Sequence, residues 1–128
     1  MKSLLSYYFF PTALLLLLAS CYNQERKCTE FKTGNFEFVQ EINGKRMVST
    51  FTRTETLQIE TFEGKTDTAT VRWVNDCEFV LEKLHPKSIK DKKNINMKIL
   101  YTKDNTYTFE YAFVGDEKKM RGLVTKTD

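Results

Sequence analysis

From Gly34 onward the chain alternates apolar and polar residues in short runs, each closed by a turn-forming pair. A β-strand turns successive side chains to opposite faces, so a period of two marks a half-buried strand and does not fit a helix face. Phe36 and Phe38 flank Glu37, Leu57 and Ile59 alternate with Gln58 and Glu60, and Ala69, Val71 and Trp73 alternate with Thr68, Thr70 and Arg72. Further on, Cys77, Phe79 and Leu81 oppose Glu78 and Glu82, and Ile95, Met97, Ile99 and Tyr101 oppose Asn96, Lys98 and Thr102. Tyr107, Phe109, Tyr111 and Phe113 then oppose Thr108 and Glu110, while fainter strand patterns cover 47–53 and 119–126. Asn43-Gly44, Glu63-Gly64, Asn75-Asp76, Asp104-Asn105 and Gly115-Asp116 supply the backbone conformations that tight hairpins need.

About eight short strands joined this way form an antiparallel meander with one apolar face. Such a sheet must curl over that face into a small barrel or half-barrel, which also reduces its exposed edges. The expected fold class is therefore all-β. The run of aromatics that includes Trp73, Tyr107, Phe109 and Tyr111 supplies core volume, and a minority of them can line a cavity for an apolar ligand. The one long connection, 84–94, holds His85-Pro86 and a group of lysines, with room for a single helical turn.

Residues 1–20 follow a different rule. Lys2, a mostly apolar stretch from Leu4 through Leu18, and then Ala19 and Ser20 have the layout of a secretory signal peptide. Pro11 and Thr12 interrupt the stretch, which falls short of the roughly 20 apolar residues of a spanning helix. Leu18-Ala19-Ser20-Cys21 resembles the lipobox of bacterial lipoproteins. That resemblance implies cleavage before Cys21 and a lipid anchor on its thiol; ordinary cleavage with an unmodified Cys21 is the alternative. At about 0.8 kcal/mol per buried methylene, three acyl chains make a permanent anchor. The organisation expected is a signal peptide over 1–20, a tether over 21–33 and a β-domain over 34–128. Tyr22 is not the aspartate that resembles an inner-membrane retention signal, so the outer membrane is favoured, on its periplasmic or its surface face.

The chain has three cysteines. With Cys21 lipidated, Cys28 and Cys77 remain as one pair, for which a disulfide is the default in an oxidising compartment. There is no Cys-x-x-Cys spacing, and two cysteines with the lone His85 are too few for a zinc site, so no metal or cofactor is expected. Removing Lys2 from the 20 basic residues leaves 19 against 17 acidic ones, with the signs interspersed. A nucleic-acid binder gathers a basic bias into a stripe, and no nucleic acid is expected as a partner.

No nucleophile with an adjacent base is legible. His85 precedes Pro86 and reads as a turn residue, and carboxylate pairs such as Asp67 with Asp76 or Glu78 read as parts of a solvent face. A phosphate-cradling glycine loop and an EF-hand spacing are both missing, so an enzyme is not expected. Lys83, Lys87, Lys90, Lys92 and Lys93 make the densest basic patch. It reads as a solvated loop, or as a contact for anionic head groups or acidic glycans near the membrane.

Gly34-Asn35-Phe36 is similar to the Gly-x-Trp opening of small lipocalin-like lipoproteins of gram-negative envelopes. Cys21-Tyr22-Asn23-Gln24-Glu25-Arg26, the stretch from Glu60 to Thr68 and Arg72-Trp73-Val74-Asn75-Asp76-Cys77-Glu78 resemble a family of short uncharacterised lipoproteins, some of which carry the label DNA topoisomerase IV. An exported chain with room for neither an ATPase nor a DNA-cleavage domain does not fit that label. The reading expected from these features together is a monomeric, non-enzymatic envelope lipoprotein that binds a small apolar ligand or an envelope partner. The alternative is a protein-interaction module such as an inhibitor of wall-degrading enzymes, and an envelope hydrolase would need acidic residues converging in a cleft. A continuous apolar cavity favours the first, a filled core with a protruding loop the second.

Overall fold

A computed structural model describes residues 26–128; the leader and Cys21 lie outside the described residues. The alternating runs become eight strands: β1 (Gly34–Ile42), β2 (Lys45–Arg53), β3 (Leu57–Phe62), β4 (Lys65–Asn75), β5 (Glu78–Lys83), β6 (Ile95–Lys103), β7 (Thr106–Phe113) and β8 (Met120–Lys126). Each pairs antiparallel with the next, and β8 returns to β1, closing the barrel. The closing seam pairs Phe36 with Lys126, Glu37 with Thr125 and Phe38 with Val124. Closure decides between the two expected forms: no edge is left unpaired, as it would be in a half-barrel.

The hairpins turn where the sequence places them. Asn43 and Gly44 both have positive φ (53° and 76°), as do Glu63 and Gly64 (50° and 75°), the conformation that matches the strand twist in two-residue hairpins. At Asn75-Asp76-Cys77 the Asn75 side chain accepts a hydrogen bond from the Cys77 amide at 2.9 Å. The long connection contains one 3-10 turn, Lys90–Lys92.

Inside, Phe36, Phe51, Ile99, Tyr107, Phe109 and Val124 form the main buried cluster, and Val71, Phe79 and Leu81 form a second. Gly122 makes that packing possible, because a Cβ there would lie 2.7 Å from ring atoms of both Phe109 and Phe38. Two features depart from the alternation. In β3 the polar members face inward: Gln58 is buried and Ile59 is exposed, the reverse of the apolar-inward reading. The register explains this, since Arg53 lies opposite Gln58 and Phe51 opposite Glu60, and an inward Arg53 needs an acceptor beside it. In β6 the ladder slips between Ile99 and Tyr101, and the bulge turns Tyr101 outward.

The packed domain also starts earlier than Gly34. Cys28–Phe31, expected within the tether, form a 3-10 turn whose Cys28 and Phe31 are buried against the main cluster. The Cys28–Cys77 disulfide forms, across a separation of 49 residues, and pins this turn to the β4–β5 corner. For a loop of that length the chain-entropy account gives about 4 kcal/mol. The turn plugs one end of the barrel. Among the described residues no helix is long and apolar enough to cross a membrane.

Candidate functional site: a cavity at the open end of the barrel

Arg53 ends β2 on the same inward face as Phe51, so the strand period carries it into the barrel, where it is 1% exposed. A guanidinium has five N–H donors in a rigid fork. Here Nε donates to the Lys32 carbonyl (3.1 Å) and Nη2 to the Phe31 carbonyl (2.7 Å), both belonging to the plug. Nη1 donates to Gln58 Oε1 (3.1 Å), and the Tyr107 hydroxyl takes one further bond from Nη1 (3.4 Å) and one from Nη2 (3.2 Å). Aromatic rings surround the charge, with Phe79 and Phe36 centroids at 4.6 and 4.7 Å. Their negative faces offset part of the desolvation cost. Every hydrogen-bond partner of Arg53 is neutral. No carboxylate lies within ion-pair distance among the described residues, so the charge is well bonded but not neutralised.

Above this layer the barrel is not full. A cavity of about 170 Å³ is walled by Phe38, Phe51, Leu81, Ile95, Met97, Phe109, Tyr111 and Val124, with Arg53, Gln58 and Tyr107 at its floor and Gln40 and Glu60 towards its mouth. Exposure rises along the interior in the same direction: Tyr107 and Gln58 are buried, Ile95, Tyr111 and Glu60 half-buried, and Gln40 exposed. A side recess of about 90 Å³ shares Gln58, Glu60, Leu81 and Ile95 with the cavity and adds Asp67 and Lys83. Burial raises the Glu60 pKa above its ordinary value; nearby Lys83 pulls it down and Asp67 adds to the rise. Burial also raises the Tyr107 phenol, against the pull of Arg53.

The candidate residues read from the sequence are spread around this site. Cys28 and Cys77 meet, as the disulfide at the plug end. Lys87, Lys90, Lys92 and Lys93 sit on the 84–94 connection, which follows β5 as it runs away from Cys77, so they rim the mouth at the end opposite the plug. Lys93 pairs with Asp116 (3.3 Å), Lys83 with Asp91 (3.3 Å), and Lys90 lies over the Phe113 ring. Asp67 lies near the start of β4 while Asp76 and Glu78 follow its end, so those carboxylates are not brought together. His85 is exposed on the same long connection. No group of three metal-ligating side chains occurs among the described residues. Sequence reasoning missed Arg53, Gln58 and Tyr107 as a unit. The available signal was period two itself, which puts Arg53 on the face of Phe51.

The chain matches no protein-family model, no curated protein and no solved structure.

Proposed function

We propose that the protein is an exported, non-enzymatic envelope lipoprotein, held by lipid on Cys21, whose barrel binds a small ligand of mainly apolar surface. The observation that carries the ligand reading is the cavity, open at one end and walled by aliphatic and aromatic side chains. Its volume of about 170 Å³ is close to that of engineered apolar cavities that take up benzene, and below the usual 300–1,000 Å³ of drug-sized sites. The ligand is accordingly a small molecule, or one short end of a larger one. The anchor reading draws support from the leader pattern and from the disulfide, which leaves Cys21 as the remaining one of three cysteines.

Intact-mass measurement of the membrane-fraction protein tests the anchor: residues 21–128 plus a diacylglyceryl group and an acyl chain are expected. An unlipidated chain with free thiols in the soluble fraction overturns it. Titration with toluene, followed by chemical shifts of residues such as Ile95 and Met97, tests the cavity; shifts confined to the outer surface refute it.

A second reading, an interaction module such as an inhibitor of wall-degrading enzymes, draws on the mouth rim. Ile89 there is 84% exposed and Val114, tied to Asn94 by its amide, is exposed as well.

A further inference from the structure

The polar atoms at the cavity floor can be accounted for one by one, and they leave only donors facing the space. Both lone pairs of the Tyr107 hydroxyl are engaged by Arg53 N–H groups, so the hydroxyl has its own hydrogen left to give, and it donates to no described residue. Gln58 accepts from Arg53 through Oε1, which turns its amide nitrogen, with two hydrogens, to the remaining side; Nε2 likewise donates to no described residue. Gln58 and Tyr107 both line the cavity, at 7% and 1% exposure. Beneath them lies the Arg53 charge, buried and without a carboxylate partner among the described residues. Donors fixed in place over an unneutralised cation, with no acceptor turned outward, are complementary to an anion whose oxygens accept hydrogen bonds. The walls above are mainly apolar, with Glu60 and Gln40 set towards the mouth, and the volume holds about one ring or a short chain beyond the head.

We infer that the ligand is a small organic carboxylate, seated head-down with its oxygens on the Tyr107 hydroxyl and the Gln58 amide, and with its apolar part running towards Ile95 and Tyr111. This rests on the ligand-cavity reading and adds the chemical class. Arg53 keeps its plug contacts throughout and acts on the anion through its charge and through the two donors it orients.

The test uses the full chain in lipid nanodiscs, with empty nanodiscs as the blank, and titrates benzoate, benzyl alcohol and acetate at pH 7. Hydrogen bonds to a charged group are worth enough that benzoate should bind roughly tenfold or more tightly than benzyl alcohol. Acetate, which carries the charge without the ring, should bind far more weakly than benzoate. Tyr107→Phe keeps the ring and removes the hydroxyl; it should reduce the benzoate preference while leaving benzyl alcohol affinity within about threefold. Equal affinity for benzoate and benzyl alcohol overturns the carboxylate assignment and leaves the cavity reading standing. Acetate matching benzoate also overturns it, as a surface ion effect. Binding of neither aromatic probe overturns the cavity reading itself. The wild-type comparison of probes decides the matter even where Tyr107→Phe does not fold.

Discussion

The two ends of this barrel are built on opposite terms. At the plug end, Phe31, Phe36, Phe79 and Tyr107 are almost fully buried, and a guanidinium spends every donor on carbonyls, an amide and a phenol. At the mouth end, Ile95, Tyr111 and Phe113 are half-buried and the rim is a lysine-bearing loop with single ion pairs. The same meander and the same strand period supply both. The difference comes from what covers each end: a 3-10 turn fixed by a disulfide on one side, and a solvated connection on the other. Burial is concentrated where the chain is sealed, so the mouth end is expected to open locally more readily than the plug end.

If that division holds, substitutions should lose effect from plug to mouth. The largest loss is expected for Arg53→Ala, which strips donors from the Phe31 and Lys32 carbonyls, Gln58 and Tyr107 and leaves a void among the rings; about 4–5 kcal/mol in denaturant unfolding is expected. A cost below about 1 kcal/mol would show that Arg53 does not organise the plug. Replacing Cys28 and Cys77 with serine should remove about 4 kcal/mol and expose the plug end preferentially in hydrogen exchange. Uniform deprotection of both ends would contradict the comparison. Between the ends, Gly122→Ala should cost about 1–3 kcal/mol, because the new methyl group meets the Phe38 and Phe109 rings, and it should also narrow the cavity and weaken toluene binding.

The smallest effect is expected near the mouth, at Glu60. Its pKa is raised from the ordinary 4.5 by burial, so the folded protein holds that proton more tightly than the unfolded chain does. The associated stability is fully present below the ordinary value and is lost as pH rises through the raised one. Glu60→Gln removes this loss together with the attraction of Lys83, so the variant should gain on the wild type as pH rises, by less than about 1 kcal/mol. Thermal unfolding across a pH series reads the sign. A variant that gains on the wild type as pH falls would place Glu60 in a favourable ion pair instead.

Much of the fold was legible because alternation and hairpin turns are local properties. Phe36, Trp73, Phe79 and Phe109 face inward as their period requires, and Asn43-Gly44 and Glu63-Gly64 turn where such pairs must. The disulfide also followed from counting cysteines, whereas closure did not follow from counting strands, because eight strands fit a half-barrel as well and only the pairing of β8 with β1 decides. The site was hidden because it depends on register. In β3, Leu57 and Ile59 are the better inward residues by hydropathy, yet pairing with β2 puts Gln58 opposite Arg53 and fixes the face. One polar inward residue dictated another, which no single-strand pattern reports. Tyr101 escaped for a similar reason, since a one-residue bulge in β6 reverses every face beyond it. The plug reads as tether because its sequence is polar and only Cys28 and Phe31 are buried in it.

The disulfide also determines how the molecule bears load. Tension arriving through the chain before Arg26 reaches Cys28 and crosses directly to Cys77, at the β4–β5 corner, so the force bypasses β1. Without that shunt the pull would pass along the backbone into β1 and peel it from β8, the barrel's shortest seam, joined by the Phe36, Glu37 and Phe38 pairs. The covalent link thus works as a strain relief, like the clamp that keeps a cable's tug off its solder joint.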